Sequence, residues 1–398
     1  MTTSKRNLPD TPGAGPLDGL LVVDFSRVLA GPFAAMMLAD LGARVIKVER
    51  PGAGDDSRGY GPFLDGHSLY FARVNRGKES IALDLRAPGD LALARSLAAR
   101  ADVLVENYRP GVMERLGLGP AALLAASPRL VYCSISGFGH SGPWSQRPAY
   151  DAVVQGMSGI MAITGVEGGA RVKPGVPVAD LAAGLYAFGG ITSALLGRAS
   201  TGRGTHLDIA MYDATVSLLE GAALSFLATG TDPGPIGNAH FSIAPFDTFR
   251  CRDREITICA ANDEQFGVLV TTLGLPGLLV DPRFAGNAAR HGARDELKAE
   301  LEVVLLTADA ELWLDRLDLV DLPCGPICSV AEAVGSEQAR ARRMVVDAGG
   351  LPGPGNPVKA SGYPDPVERR AAPELDQHGP ALRAEFGPLP RSAGPPAS

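Results

Sequence analysis

The chain has 398 residues, of which 45% are hydrophobic and 20% are charged, and its formal net charge is −7. This composition is that of an ordinary globular protein, and the length exceeds what one hydrophobic core usually supports, so we expect two domains. The acidic balance argues against a nucleic-acid-binding surface. The five cysteines lack a companion Cys/His cluster, which argues against a metal site and for reduced thiols.

The sequence shows neither a long uninterrupted apolar run nor a charged-then-apolar pattern at its start. We therefore expect a cytoplasmic protein with no membrane partner. Residues 1–16 are polar and rich in Pro and Gly, which predicts a loose arm. At the other end, residues 387–398 are rich in Pro, Ala and Ser and are predicted to be disordered.

The first half of the chain alternates between apolar runs and helical patterns. Residues 20–25 are almost continuously apolar, as expected of a strand buried on both faces of a parallel sheet, and residues 43–49 form a second such strand. A turn containing Gly31 and a helical pattern ending at Gly42 lie between them. This βαβ pattern predicts an α/β fold with a Rossmann-like large domain. The turn lacks the three-glycine spacing of a dinucleotide site, so NAD is not expected.

Further strands are predicted at residues 80–85, 103–106, 130–136 and 206–210, with a helix at 88–100. Asn107 and Arg109 directly follow one of these strands, at the edge where open α/β sheets bind ligands. Arg115 comes shortly after and is a candidate phosphate partner, because its guanidinium is a rigid fork of donors. A solvated arginine on a helix face is the alternative interpretation.

Asp180 stands at the head of a long predicted helix. Pro174 and Pro177 hold the approach extended, and from residue 181 the apolar side chains recur at spacings of three and four. The helix is therefore predicted to begin at or just after Asp180, where free N–H groups and the helix dipole favour an ionised carboxylate. Residue type and position favour a simple N-cap aspartate. A capped carboxylate with a fixed direction is also a positioned nucleophile.

The second half opens with residues 228–237, whose Gly, Pro and Asp predict a linker. A loop at 237–246 follows, and then strands are predicted at 248–250 and 255–260. Helices are predicted at 265–272, 294–307 and 310–317. A second domain is therefore expected to start near residue 228.

Several motifs in order along residues 17–386 resemble the family III CoA-transferases. This is the formyl-CoA and carnitine CoA-transferase group, which also contains the α-methylacyl-CoA racemases. The most specific pieces are Ala30-Gly31-Pro32, GARVIKVE at 42–49, VEN at 105–107, GFG at 137–139, PAYD at 148–151, Asp180, and TGRG at 201–204 with DIAM at 208–211.

The resemblance implies that Asp180 is the nucleophile. A carboxylate can conserve the free energy of the donor thioester while CoA passes from the donor acid to the acceptor acid, because it forms an anhydride and then its own thioester with CoA. Water must be excluded, because it would hydrolyse both intermediates. The implied oxyanion donors are the amides of the loop containing Gly237, Asn238, Ala239 and His240.

The same matching implies which residues contact CoA. Arg50 and Arg115 would suit its phosphates, Leu83 would pack on the adenine or pantetheine, and Tyr70 and Tyr150 would lie near the thioester. The full implied set is Val28, Arg50, Tyr70, Leu83, Asn107, Arg109, Arg115, Tyr150 and Asp151.

The resemblance also implies an architecture. A Rossmann-like large domain over residues 17–227 would bind CoA, a smaller α+β domain would be inserted at 228–335, and the segment 336–386 would return to the large domain. Two chains would form an interlocked homodimer. The implied substrates are an acyl-CoA thioester and a small carboxylic acid, with no permanently bound cofactor and no metal.

Departures from the family pattern bear on specificity. Formyl-CoA transferases have a run of glycines in the loop at 237–244 and a glutamine where this chain has Leu29, so oxalate and formate are not the expected substrates. Racemases of the family use a histidine where this chain has Tyr150, together with the aspartate matching Asp180, and moving an α-proton needs such an acid/base pair. A racemase is therefore a weaker alternative. The other alternative is a non-catalytic acyl-CoA-binding protein in which Asp180 only caps a helix.

Overall fold

The structure is a computed structural model that describes residues 15–387. The predicted loose arm, apart from residues 15–16, and the predicted disordered segment, apart from Gly387, lie outside the described residues. The contacts divide the chain into two compact units. Of the described residues, the first contains 15–160, Lys173–Ala228 and 337–387, and the second contains Met161–Val172 and Thr229–Ser336.

A six-stranded parallel sheet forms the centre of the first unit. The strands up to residue 210 are β1 (Leu21–Asp24), β2 (Arg44–Glu49), β3 (Phe63–Leu64), β4 (His67–Ser68), β5 (Glu79–Ala82), β6 (Val103–Glu106), β7 (Val131–Ser136) and β8 (His206–Ala210). The sheet order is β5-β2-β1-β6-β7-β8, and β3 and β4 form a separate two-stranded hairpin. The order reverses between β1 and β6, where ligands bind in open α/β sheets.

Helices cover both faces of this sheet. The helices between residues 30 and 229 are α1 (Ala30–Asp40), α2 (Leu69–Asn75), α3 (Pro88–Arg100), α4 (Val112–Arg115), α5 (Pro120–Ala126), α6 (Asp151–Met157), α7 (Ile160–Ile163), α8 (Val178–Thr201), α9 (Met211–Ser217) and α10 (Glu220–Thr229). Val22 of β1 packs in one buried cluster with α1 and α8, and the next residue, Val23, packs in another with α3. Successive strand residues point to opposite faces, so a nearly continuous apolar run is what such a sheet requires.

The second unit has its own antiparallel sheet. Its elements are β9 (Phe246–Arg250), β10 (Glu255–Cys259), α11 (Asp263–Thr272), α12 (Asn287–Gly292), α13 (Arg294–Leu305), α14 (Ala310–Asp318), β11 (Cys324–Pro326) and α15 (Val330–Gly335). The strands lie in the order β11-β10-β9. Phe249 and Trp313 pack in its core, and the Trp313 indole N–H donates to the carbonyl of Leu305 at 2.8 Å.

The last part of the chain returns to the first unit. It forms α16 (Glu337–Ala341), β12 (Val345–Ala348), β13 (Pro352–Pro354), β14 (Glu368–Arg369) and α17 (Gly379–Phe386). Leu382 and Phe386 of α17 join the buried cluster that contains α3. Arg44 on β2 makes ion pairs with Glu79 at 2.8 Å and Glu385 at 2.7 Å, which ties α17 to the sheet.

α8 is long and apolar enough to cross a bilayer by length and composition, although 33% of its most apolar stretch is buried inside the protein. A core helix of a soluble protein passes the same test, so one helix of this kind is weak support for a membrane span. It is the one candidate span among residues 15–387.

Candidate active site

Asp180 is the third residue of α8, which begins at Val178. The prediction that this helix starts at or after Asp180, and the interpretation of Asp180 as its N-cap, are therefore wrong. The N-cap residue is Pro177, which has no side chain able to cap. A carboxylate from another element takes that role: Asp151 Oδ1 accepts the amide N–H groups of Ala179 at 3.0 Å and Asp180 at 3.3 Å. The local sequence around Asp180 holds no sign of this distant cap.

Asp151 is held in place from its own helix. It is the first residue of α6, and its Oδ2 accepts a hydrogen bond from Gln155 Nε2 at 2.6 Å. Gln155 is buried, and within the described part of the chain its Oε1 has no hydrogen-bond partner. Both Asp151 oxygens are therefore engaged in fixing α6 against the start of α8. The predicted contact of Asp151 with CoA stays a prediction.

The electrostatics at Asp180 favour the protonated acid more than the sequence indicated. Burial, with a smaller contribution from the Asp151 charge, raises the pKa of Asp180 to about 7, and Arg73 opposes the rise. Desolvation and a like charge thus outweigh the helix terminus, which favours the anion. Near neutral pH the Asp180 carboxyl is about half ionised, so the nucleophilic carboxylate form is available. No ion pair with Asp180 forms among residues 15–387.

Two residues of α2, Tyr70 and Arg73, interact electrostatically with Asp180. The Arg73 guanidinium carbon lies 3.8 Å from the centroid of the Tyr70 ring, and Tyr60 meets that ring edge-on at 5.5 Å. Burial raises the pKa of Tyr70, Arg73 opposes this, and the Asp180 charge adds to it. The predicted contact of Tyr70 with the thioester stays a prediction. Arg73 is a functional candidate that the sequence reasoning missed, and no sequence signal distinguishes it from a surface arginine.

Gly184, one turn after Asp180, allows α8 to approach α1 closely. A Cβ at this position would lie 2.8 Å from the Phe33 ring and 2.9 Å from the carbonyl oxygen of Ala30. Both neighbours belong to the first turn of α1, which contains the Ala30-Gly31-Pro32 motif. The motif and the nucleophile candidate are thus brought together by direct helix packing.

The loop after β1 is positioned by buried charges. Val28 has a left-handed φ of 68°, and its amide donates to Asp55 Oδ1 at 3.1 Å. Asp55 pairs with Lys47 at 2.8 Å, and the two side chains are 1% and 0% exposed. Lys47 also donates to the carbonyl of Ser26 at 2.8 Å. Such a loop conformation costs energy for a β-branched residue, and this network holds it.

A second buried pair continues the network. Lys78 donates to Asp24 at 2.8 Å and to the Asn75 side-chain oxygen at 2.8 Å. Burial lowers the pKa of Lys78 to about 8, with Asp24 opposing the shift. Burial acts to raise the pKa of Asp24, but Lys78 and Lys47 outweigh it and hold the pKa below its usual value. The loop after β1 therefore rests on a rigid polar base.

Asn107 joins the ends of β1 and β6. Its side chain accepts the amide N–H of Arg27 at 2.8 Å and donates to the carbonyl of the same residue at 2.8 Å. Beside this joint lies a cavity of about 130 Å³. Arg27 and Arg50 at its rim share one carboxylate, Asp56, at 2.7 and 2.5 Å. Two guanidinium groups against one carboxylate leave excess positive charge, which suits a phosphate.

The remaining predicted CoA contacts differ in how exposed their side chains are to solvent. Arg109 and Arg115 are exposed near the end of β6, and Tyr150 is 74% exposed just before α6. Leu83 is 1% exposed and packs in the core, so its predicted packing on CoA would require the core to open. The structure thus groups Val28, Arg50 and Asn107 around the end of β1, but it does not place the Leu83 side chain at a surface.

The predicted oxyanion loop lies in the second unit. The amides of Gly237 and His240 are already donated, to the carbonyls of Gly165 at 2.8 Å and Phe246 at 2.9 Å. The amides of Asn238 and Ala239 have no acceptor within residues 15–387. Only these two of the four predicted donors are therefore free to bind an oxyanion in this conformation.

Among residues 15–387, no three His, Cys, Asp or Glu side chains are grouped so as to hold a metal ion. Lys47 and Asp55 are further residues that the sequence reasoning missed. The signal for Lys47 was available, since a lysine inside an apolar strand pattern indicates a buried charge that needs a partner. Asp55 offered no comparable signal.

Comparisons with known proteins agree on one family. The sequence model described as CoA-transferase family III matches residues 17–379. The chain is 50% identical to an acetyl-CoA:oxalate CoA-transferase of Acetobacter aceti over 94% of this chain and 96% of that protein. It is 40% identical to a succinyl-CoA:glutarate CoA-transferase of Mus musculus over 94% and 87%.

Solved structures give the same result. A crystal structure described as a CaiB/BaiF family protein from Brucella suis is 43% identical, with a TM-score of 0.84 over 94% of this chain and 100% of that chain. A crystal structure of a protein from Mycobacterium tuberculosis is 31% identical, with a TM-score of 0.84 over 94% and 100%. The mixed α/β fold with its parallel central sheet is common to them. The chain belongs to the family III CoA-transferases.

Proposed function

We propose that the protein moves CoA from an acyl-CoA donor to a carboxylic acid acceptor through a thioester between Asp180 and CoA. The observation that carries the proposal is the state of Asp180. It is a part-buried carboxyl at the start of α8 whose pKa is raised to about 7, chiefly by burial. A desolvated carboxylate is a stronger nucleophile than a hydrated one, and the surrounding protein limits the access of water.

The donor half-reaction proceeds in two steps. The Asp180 carboxylate attacks the thioester carbonyl, the C–S bond breaks, and a mixed anhydride and the CoA thiolate result. The thiolate then attacks the Asp180 carbonyl of the anhydride and releases the donor acid as a carboxylate. The acceptor carboxylate repeats these steps in reverse order, so that acceptor acyl-CoA forms and the Asp180 carboxylate is regenerated.

Each carbonyl attack develops an oxyanion that needs hydrogen-bond donors. The unengaged amides of Asn238 and Ala239 support the loop at 237–244 as their source. The loop after β1 with Val28, the joint at Asn107, and the arginines Arg50, Arg109 and Arg115 are the proposed CoA contacts. Tyr70 is proposed to lie beside the reacting thioester, because the charge of Asp180 affects its pKa.

We infer the substrate class from the relatives. Their names pair acetyl-CoA with oxalate and succinyl-CoA with glutarate. We therefore propose a short acyl-CoA donor and a short dicarboxylic acid acceptor, with no permanently bound cofactor. The racemase alternative gains no support, because Tyr150 stands where a histidine would be needed.

The proposed assembly is an interlocked homodimer in the cytoplasm. Supporting it, α8 and α10 expose large apolar side chains in the single chain, among them Leu196 at 76% and Leu227 at 79%. Exposed apolar surface of this kind is typical of protein interfaces. We also propose that the large domain is Rossmann-like, because its six strands follow the doubly wound order.

A direct assay of CoA transfer tests the proposal. Purified protein is incubated with acetyl-CoA or succinyl-CoA and with oxalate, succinate or glutarate, and new acyl-CoA is detected by chromatography. We expect transfer by the wild type and none above background by Asp180→Ala and Asp180→Asn, with unchanged circular dichroism. Full turnover by folded Asp180→Ala would refute the assigned mechanism.

A further inference from the structure

Arg73 differs from the other arginine at the end of the same helix. Arg76 is fully neutralised, because its guanidinium makes two hydrogen bonds to Asp40 at 3.1 and 2.6 Å and both side chains are nearly buried. Arg73 is exposed and has no carboxylate within ion-pair distance among residues 15–387. The end of α2 therefore carries one arginine that a carboxylate neutralises and one, Arg73, that hydrogen-bonds the Tyr70 side chain and has no carboxylate partner in the described part of the chain.

The Arg73 guanidinium has a preset orientation, because it both stacks on Tyr70 and hydrogen-bonds its side chain. It lies over the Tyr70 ring, with 3.8 Å between the guanidinium carbon and the ring centroid, and Tyr60 supports that ring from its edge. Stacking on an aromatic face leaves the in-plane N–H donors of arginine available, and this fork matches a carboxylate in two-point geometry. Less side-chain entropy is then lost when a carboxylate binds.

The surroundings of Arg73 are those of a small-molecule site. Arg73 and Tyr70 line a cavity of about 310 Å³ within the first unit. Apolar residues form most of its wall, including Leu69, Val346, Leu351 and Pro352. A few polar groups in a largely apolar cavity are what a small ligand requires for orientation. The cavity has room for a short hydrocarbon chain next to the cation.

Arg73 also acts on the nucleophile. Its charge is the cation that opposes the raised pKa of Asp180. It does not neutralise Asp180, since no ion pair joins the two side chains. A carboxylate that binds Arg73 therefore displaces no internal salt bridge.

We propose that Arg73, stacked on Tyr70 near Asp180, binds the non-reacting carboxylate of a dicarboxylic acid substrate and thereby selects dicarboxylic over monocarboxylic acids. The inference rests on the proposed transferase function and adds a substrate subsite to it. The reacting carboxylate must stay a nucleophile or electrophile, and a forked ion pair would quench it, so the second carboxylate is the partner that fits.

The test compares acids of equal chain length. Transfer to glutarate and to valerate is measured with the wild type, Arg73→Met, Arg73→Lys and the control Arg203→Met. Arg203 is exposed just beyond the C-terminal end of α8, about 35 Å from Asp180 at the helical rise per residue. Assays run at pH 8.5, above the pKa of about 7 of Asp180, so that a change in its ionisation affects both acids alike.

We expect Arg73→Met to raise the KM for glutarate about 10- to 100-fold, which corresponds to the loss of a charged hydrogen-bonded pair, and to leave the KM for valerate within about twofold. Arg73→Lys should fall between, because it keeps the charge and loses the fork. Arg203→Met should match the wild type. An unchanged KM for glutarate, or an equal rise for both acids, would overturn the proposal.

A binding measurement separates this inference from the proposed function. Calorimetry with glutarate and valerate in the presence of free CoA requires no turnover. If the wild type transfers CoA to no acid, the proposed function fails, and the calorimetric Kd for glutarate still decides the role of Arg73. Weaker glutarate binding in Arg73→Met alone supports the subsite, and equal binding by wild type and variant refutes it.

Discussion

Asp151 and Asp180 are linked by a single hydrogen bond, in which Asp151 Oδ1 accepts the amide N–H of Asp180 at 3.3 Å. The same carboxylate therefore caps the helix that carries the nucleophile candidate and contributes to its raised pKa. These two effects act in opposite directions on reactivity. The cap fixes the position of Asp180, whereas the charge of Asp151 lowers the fraction of Asp180 that is ionised at neutral pH.

The rate of the donor half-reaction should follow the ionisation of Asp180. Because its pKa is raised to about 7, kcat/KM for the acyl-CoA donor should rise about tenfold per pH unit below pH 6 and level off above pH 8. Asp151→Asn should move the midpoint to lower pH, since it removes a like charge and keeps an oxygen that can cap α8. Stopped-flow measurement from pH 5 to 9 gives both profiles.

A matched control tests whether any lost carboxylate has this effect. Asp213 is exposed in the first turn of α9, and Asp213→Asn should leave the midpoint at its wild-type value. A midpoint near pH 4 in the wild type, or an unmoved midpoint in folded Asp151→Asn, would contradict the electrostatic account.

Ionisation of Asp180 should lower the free energy of unfolding at the pH where Asp180 reacts. Its folded pKa of about 7 lies above the ordinary value of 3.8. The stabilisation of its neutral form is therefore fully present below about pH 4 and is lost as the pH rises through 7. At 1.36 kcal/mol per pKa unit, the upper limit of this loss is about 4 kcal/mol. Asp180→Asn, which stays neutral, should have a higher Tm than the wild type at pH 8 and a similar Tm at pH 4. The opposite order at pH 8 in calorimetric scans would count against a desolvated carboxyl.

Removal of one charge from the buried pair beneath the loop after β1 should destabilise the protein. Asp55→Ala would leave the Lys47 ammonium without its direct partner in a site where both side chains are at most 1% exposed. Removing one member of a buried pair costs about 3–5 kcal/mol. Asp309→Ala, which breaks an exposed pair with Arg252, is the control and should leave Tm nearly unchanged. Equal Tm values for the two variants would disprove a structural role for the buried pair.

Arg115 is expected to contribute to donor binding alone. A phosphate contact is the same in the ground state and in the transition state, so Arg115→Ala should raise the KM for the acyl-CoA donor by about tenfold and leave kcat unchanged. Steady-state kinetics at saturating acceptor separates the two constants. A fall in kcat at constant KM would assign Arg115 a different role.

Much of the first unit could be predicted from the sequence, because most strands of its central sheet are buried on both faces. The helix over residues 88–100 and the strands over 103–106 and 206–210 have the predicted bounds. The start of α8 was predicted wrongly because its cap, Asp151, is distant in the chain. Asp55 and Arg73 were missed for a similar reason. The role of Asp55 depends on its buried pair with Lys47, and the role of Arg73 depends on its stacking on Tyr70, and neither contact can be read from the sequence.

Trapping of the covalent intermediate tests the central claim most directly. The wild type is incubated with an acyl-CoA donor and no acceptor, treated with hydroxylamine, digested, and analysed by mass spectrometry for the peptide that contains residues 177–184. An anhydride or thioester on Asp180 is far more electrophilic than a free carboxylate, so we expect a hydroxamate on Asp180 only after exposure to the donor and never in Asp180→Asn. If an enzyme that turns over in the same buffer gives no such modification, CoA moves without a covalent bond to Asp180, and the proposed mechanism is wrong.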